Sequence, residues 1–84
     1  MVDPETGDVD RETVIHILRR HGVGVSDDPD NPGSVILIKG NIIESKPLPN
    51  RVGRRLLQYF KRTYKIPIHL FYHPEMMEGP SSVQ

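Results

Sequence analysis

Cysteine is absent from the 84-residue chain. That absence excludes disulfides, thiolate zinc sites, iron–sulfur clusters and a cysteine nucleophile. Net charge is absent too. Eleven Lys plus Arg balance eleven Asp plus Glu, so the chain is no wholesale polycation that coats nucleic acid or an anionic membrane. Apolar residues are scarce, at 36% with a mean hydropathy of −0.45, which predicts that part of the chain is disordered. No apolar run approaches the roughly 18 residues of a membrane span. The start, Met1-Val2-Asp3-Pro4-Glu5, is acidic and has no apolar stretch of the secretory-signal kind. A cytoplasmic protein with no membrane partner is expected.

What is present divides into a body and two ends. Residues 1–8 hold three acids, Pro4 and Gly7, and residues 75–84 hold Glu78, Gly79, Pro80, Ser81 and Ser82. Neither end offers enough apolar surface to offset the entropy of ordering it. Flexible tails are expected there, around one domain over residues 9–74, with Met76 and Met77 as the residues able to dock. A body of about 65 residues is near the lower limit for a lone core.

Local signals predict the elements. Asp10 is an N-cap candidate for a helix over 11–21, with Val9 and Val14 as a hydrophobic staple. Val14, Ile17 and Leu18 follow helical spacing; Glu12 opens the helix and Arg19, Arg20 and His21 close it, as the macrodipole favours. Gly22 and Val23 are placed for a Schellman ending against Leu18. A short strand, Val23–Ser26, leads into the loop Asp27-Asp28-Pro29-Asp30-Asn31-Pro32-Gly33. Ser34–Lys39 and Ile42–Lys46 form a hairpin across a type II′ turn at Gly40-Asn41. That turn sets the register. One face carries Ile36, Ile38, Ile43 and Ser45, and is assigned to the core. The other carries Val35, Leu37 and Ile42 among Lys39, Glu44 and Lys46. This second face reads either as ordinary cross-strand pairing on a half-wet sheet or as an interaction patch formed by Val35, Leu37 and Ile42.

After Pro47-Leu48-Pro49, Asn50 caps a predicted helix over 51–64, with Val52, Leu56, Tyr59, Phe60 and Thr63 as its apolar stripe. Ile66–Tyr72 reads as a fourth strand, an edge strand because Pro67 cannot donate to a ladder. The order α-β-β-β-α-β predicts an α+β two-layer sandwich: an antiparallel sheet of 3–4 strands with two helices on one face.

The charge is segregated. Residues 1–30 carry a net −5, residues 31–49 a net +1, residues 50–66 a net +6 and residues 67–84 a net −2. Arg51, Arg54, Arg55, Lys61, Arg62 and Lys65 recur at helical spacing opposite the apolar stripe, and no acid lies among them. Two of these cations sit at the positive end of the helix dipole, which costs about 0.3–1 kcal/mol each. Local stability does not explain that choice; a surface that meets phosphates does. A solvated face neutralised by the acidic first third of the chain is the other reading. Nucleic-acid binding, RNA favoured, is thus expected through these six residues, with Lys39 and Lys46 secondary and Tyr64 as a stacking candidate. The alternative is a protein-interaction module or homodimer.

Other chemistry fails on spacing. From Asp28, the acidic loop has Asp30 and Gly33 where a calcium loop needs them, but Pro32 and Lys39 stand where oxygen ligands belong. His16, His21, His69 and His73 do not converge, so neither a metal nor another cofactor is expected. No nucleophile, base and oxyanion donors assemble, and the chain reads as non-catalytic.

The helix ending at Gly22, the Val35–Lys46 hairpin and the Leu48-Pro49 approach to a basic helix resemble the small double-stranded-RNA-binding-type fold of the HicA family of toxin-like RNases. The likeness spans residues 10–64. It implies shared topology and contact with RNA. The family's Gly-Ser/Thr-His segment is replaced by Asn31-Pro32-Gly33-Ser34-Val35, and no histidine lies between His21 and His69. Contact without cleavage is what the resemblance leaves.

Overall fold

A computed structural model describes residues 7–75. It is an α+β fold in element order β1 (Val9–Asp10), α1 (Arg11–Arg20), β2 (Gly24–Asp27), β3 (Ser34–Lys39), β4 (Ile42–Pro47), β5 (Arg51–Val52), α2 (Arg54–Tyr64) and α3 (His69–Tyr72). The strands β2, β3 and β4 form an antiparallel meander, and β1 pairs with β5 in a separate two-stranded ladder. The tails expected over 1–8 and 75–84, with Met76 and Met77, lie outside the described residues except for Gly7, Asp8 and Glu75. Gly7 is buried, and the Tyr72 hydroxyl donates to its carbonyl at 3.2 Å.

The first helix ends as its sequence predicts. Gly22 has φ +85, and the Val23 N–H donates to the Leu18 carbonyl at 3.0 Å while Gly22 N–H donates to Arg19, the two bonds of a Schellman motif. Val9 and Val14 are both fully buried, as a staple requires. Asp10 occupies the N-cap with extended backbone, but its side chain makes no capping bond. Its carboxylate instead accepts from Arg51 at 3.2 Å.

The hairpin register is the one the two-residue turn dictates: Lys39 opposite Ile42, Ile38 opposite Ile43, Leu37 opposite Glu44, Ile36 opposite Ser45 and Val35 opposite Lys46. Gly40 has φ +59 and Asn41 has no positive φ, so the turn is II′ rather than I′. The facing is the reverse of expectation. Val35 and Leu37 are buried against the helices, whereas Ile38 is 46% and Ile43 71% exposed. The interaction patch expected at Val35, Leu37 and Ile42 is therefore the inner face, with only Ile42 reaching its margin. The charges do not mark the wet face here, because Lys39, Glu44 and Lys46 flank the buried centre and find partners there. The Lys39 ammonium donates to the Tyr64 carbonyl at 3.4 Å, and Lys46 lies over the Tyr59 ring at 4.3 Å. Long cationic stems cross apolar surface at little cost.

Two further expectations give way around the second helix. Arg51 and Val52 are strand, not helix, because Val9–Asp10 pairs with them, and the Asn50 carbonyl accepts from the Arg11 N–H at 3.0 Å. The helix starts at Arg54 with Gly53 as cap, not Asn50, and its buried stripe is Leu57, Phe60 and Tyr64. The expected stripe members Leu56, Tyr59 and Thr63 are half-buried at its side. The fourth strand expected over 66–72 is instead a turn and the short helix α3. Leu70 N–H donates to the Pro67 carbonyl and Phe71 N–H to Ile68, while Ile66, Leu70 and Phe71 are buried at i, i+4, i+5. Pro67 lacks a ladder donor but suits the start of a helical turn. The core closes around Phe60, whose ring centroid lies 6.3 Å from Phe71 and 6.1 Å from Tyr64.

Candidate functional site

The outer surface of α2 is cationic along its whole length. Its eleven residues span about 16 Å. Leu57, Phe60 and Tyr64 face inward, so Arg54, Arg55, Gln58, Lys61 and Arg62 face out and are exposed, as is Lys65 just beyond. Arg54, Lys61 and Lys65 share one stripe at i, i+7, i+11; Arg55 and Arg62 form a second at i, i+7.

The described residues of the acidic first third engage only part of this surface. Ion pairs among the described residues include Arg51 with Asp10 at 3.2 Å and Arg11 with Asp27 at 3.5 Å. Arg54, Arg55, Lys61, Arg62 and Lys65 take part in no ion pair among the described residues. Arg51, expected on the basic face, lies instead in the ladder with β1 and is held to Asp10. Asp8 stands beside the start of α2: a Cβ built on Gly53 would lie 3.8 Å from its Oδ1. An anion there matches the positive end of the dipole. Gly7 packs against the Arg54 stem, where a Cβ on the glycine would lie 3.3 Å from the arginine Cβ. The cationic surface clear of Gly7 and Asp8 is therefore Arg55, Lys61, Arg62 and Lys65.

Next to it lies an apolar groove of about 420 Å³ lined by Lys46, Pro49, Gly53, Arg55, Leu56 and Tyr59. Tyr59 is its half-exposed aromatic wall, and Lys46 and Arg55 are its cations. Tyr64, the expected stacking residue, is 1% exposed and belongs to the core. The helical phase explains the exchange: with α2 beginning at Arg54 and Leu57 inward, Tyr64 falls on the inner stripe two turns on.

A carboxylate fixes Tyr59 in place. Its hydroxyl donates to Glu44 Oε1 and Oε2 at 2.5 and 2.6 Å, and the Tyr64 hydroxyl donates to Oε2 at 2.6 Å. Partial burial pushes the Glu44 carboxyl up, but the two hydroxyls and the Lys46 ammonium outweigh it and hold it below the ordinary carboxylate range. The same pairing and burial push both tyrosine hydroxyls up, so they remain protonated donors.

The acidic loop is internally satisfied. Asp28 accepts from the Ser45 hydroxyl at 2.6 Å, the Asn31 amide at 3.0 Å and the Asp30 N–H at 2.9 Å, and these bonds keep its carboxyl below its usual range. Among the described residues no His, Asp or Glu group has metal-holding geometry. His69 lies in α3 and His73 at its end beside Glu75, not on a strand. A second hollow, about 440 Å³, runs between α1 and the end of β2. Its two arginines are already committed to backbone carbonyls, Arg11 to Leu48 at 3.0 Å and Arg19 to Val25 at 2.9 Å.

Among the described residues no helix is long and apolar enough to cross a membrane. Comparison of the chain with protein-family models, with curated proteins and with solved structures returned no match.

Proposed function

We propose that this protein is a non-catalytic nucleic-acid-binding module, with RNA as the favoured ligand, that grips phosphates through the outer face of α2. The observation that carries the reading is the exposed set Arg55, Lys61, Arg62 and Lys65, which enters no ion pair among the described residues although the chain as a whole is neutral. A solvated face built for stability places acids among its bases; this one has none. Lys46 extends the cationic surface across the groove, while Lys39 is turned to the Tyr64 carbonyl and contributes through charge at longer range. One feature supports single-stranded RNA: the groove beside Tyr59 suits an unpaired base, which RNA loops supply.

The test is fluorescence anisotropy of a labelled single-stranded RNA across salt. With three to five phosphates neutralised, log affinity is expected to fall by roughly 2 to 3.5 per decade of salt. Lys61→Glu with Arg62→Glu should weaken binding of every sequence alike and flatten that slope. An affinity unchanged between about 50 mM and about 200 mM salt, or indifference to the double charge reversal, rejects the reading.

A further inference from the structure

The sheet has a second face, and it exposes two isoleucines to solvent. Ile38 and Ile43 stand opposite each other across the β3–β4 ladder, 46% and 71% exposed, with Ile36 beside them half-buried. On the β2 side, Gly24 pairs with Ile38 and adds no side chain to cover it. Toward the other end of the face lie Ser26 and Ser45, and the Ser45 hydroxyl is bound to Asp28. No charged side chain shares this face on β2, β3 or β4, although charged residues make up 26% of the chain.

We propose that this face is the interface between two copies of this chain. A charged partner surface over Ile38 and Ile43 would be stripped of water with no countercharge beside it on β2, β3 or β4, the Asp28 carboxylate at the Ser45 end being already held by Ser45, Asn31 and the Asp30 N–H, so the occupant that fits is another apolar sheet face. The chain itself presents one. A two-fold axis near the Ile38–Ile43 pair sets isoleucine against isoleucine and leaves the serines at the wet rim. The two sheets would pack about 10 Å apart. Long-range charge does not oppose the contact, because the net charge of each copy is zero. The α2 helices, bound to the opposite face through Tyr59 and Tyr64, are left pointing away from each other on the outside of the pair. A three-stranded face is small, so the contact belongs to the weak end of the interface range, with dissociation between roughly micromolar and millimolar.

Sedimentation velocity on the full chain from about 10 µM to about 1 mM tests this. The expected result is a mass that rises from monomer toward dimer with concentration. Ile43→Glu, which places a carboxylate in the centre of the contact, should weaken association by at least about tenfold, while Ile42→Thr on the opposite face should leave it unchanged. A thermal melt of each variant confirms the fold. Intermolecular methyl contacts from Ile38 and Ile43 in a mixed isotope-labelled sample report the same interface without substitution. A monomer at every concentration would assign the face to some other partner and overturn the proposal. So would a dimer that survives Ile43→Glu with its intermolecular contacts elsewhere.

Discussion

Glu44 shows how one side chain ties a layer to its neighbour. It sits on β4 and collects the hydroxyls of two α2 tyrosines, one of them fully buried. Glu44→Ala strands the Tyr64 hydroxyl in the core and is expected to lower stability by about 1–3 kcal/mol in urea unfolding. The pH dependence follows from the direction of its shift. A carboxyl held below its unfolded value of about 4.3 contributes fully above that pH, and the contribution is lost as pH falls through the folded value. Asp28 behaves in the same sense, with an unfolded value of about 3.9. The urea midpoint is therefore expected to stay level from pH 7 down to about 5 and to drop below about 4. In Glu44→Gln the acid drop should be shallower, leaving the part due to the other carboxyls held low, Asp28 and Asp10. A wild-type midpoint that rises on acidification contradicts the assignment.

At the scale of the element, the two long helices end differently. The first closes on Gly22 at φ +85, which an L side chain adopts only with strain. Gly22→Ala is expected to cost about 1 kcal/mol or more, measured by urea unfolding. The second closes on Lys65 in the left-handed region, φ +61 and ψ +39, where glycine is the usual choice. A lysine kept there fits a residue held for its charge. On the proposed RNA-binding reading, Lys65→Gly should raise stability by up to about 1 kcal/mol while weakening RNA affinity, a split that a purely structural residue does not give. If both stability and affinity fall together, Lys65 is not part of the phosphate surface.

For the whole molecule, the decisive fact is which face of the meander the helices cover. A body this small has only on the order of 5 kcal/mol of net stability. Leu37→Ala, on the covered face, is expected to cost about 2–5 kcal/mol and nearly unfold the protein. Ile38→Ala, one residue along and facing out, should change the stability of the dilute monomer by less than about 1 kcal/mol. Paired denaturation curves of these two variants check the orientation directly, and equal losses would contradict it.

Much of this was legible in local order. The Schellman ending at Gly22, the II′ turn at Gly40-Asn41 and the hairpin register rest on bonds within a few residues, and those bonds depend on neither layer. The exposed cations from Arg54 onward were legible too, because five bases without an acid leave few places to hide. The two-layer α+β class followed from the order of these pieces. Tertiary contact decided the rest. Val9 and Asp10 claimed Arg51 and Val52 for a ladder and removed Arg51 from the basic surface. The core took Tyr64 and left Tyr59 at the groove. The sheet turned Val35 and Leu37 inward, because α2 offered two hydroxyls to Glu44 on that side and nothing to cover Ile38 and Ile43 on the other. A period-two pattern separates two faces without saying which is covered; that choice lies in partners dozens of residues away.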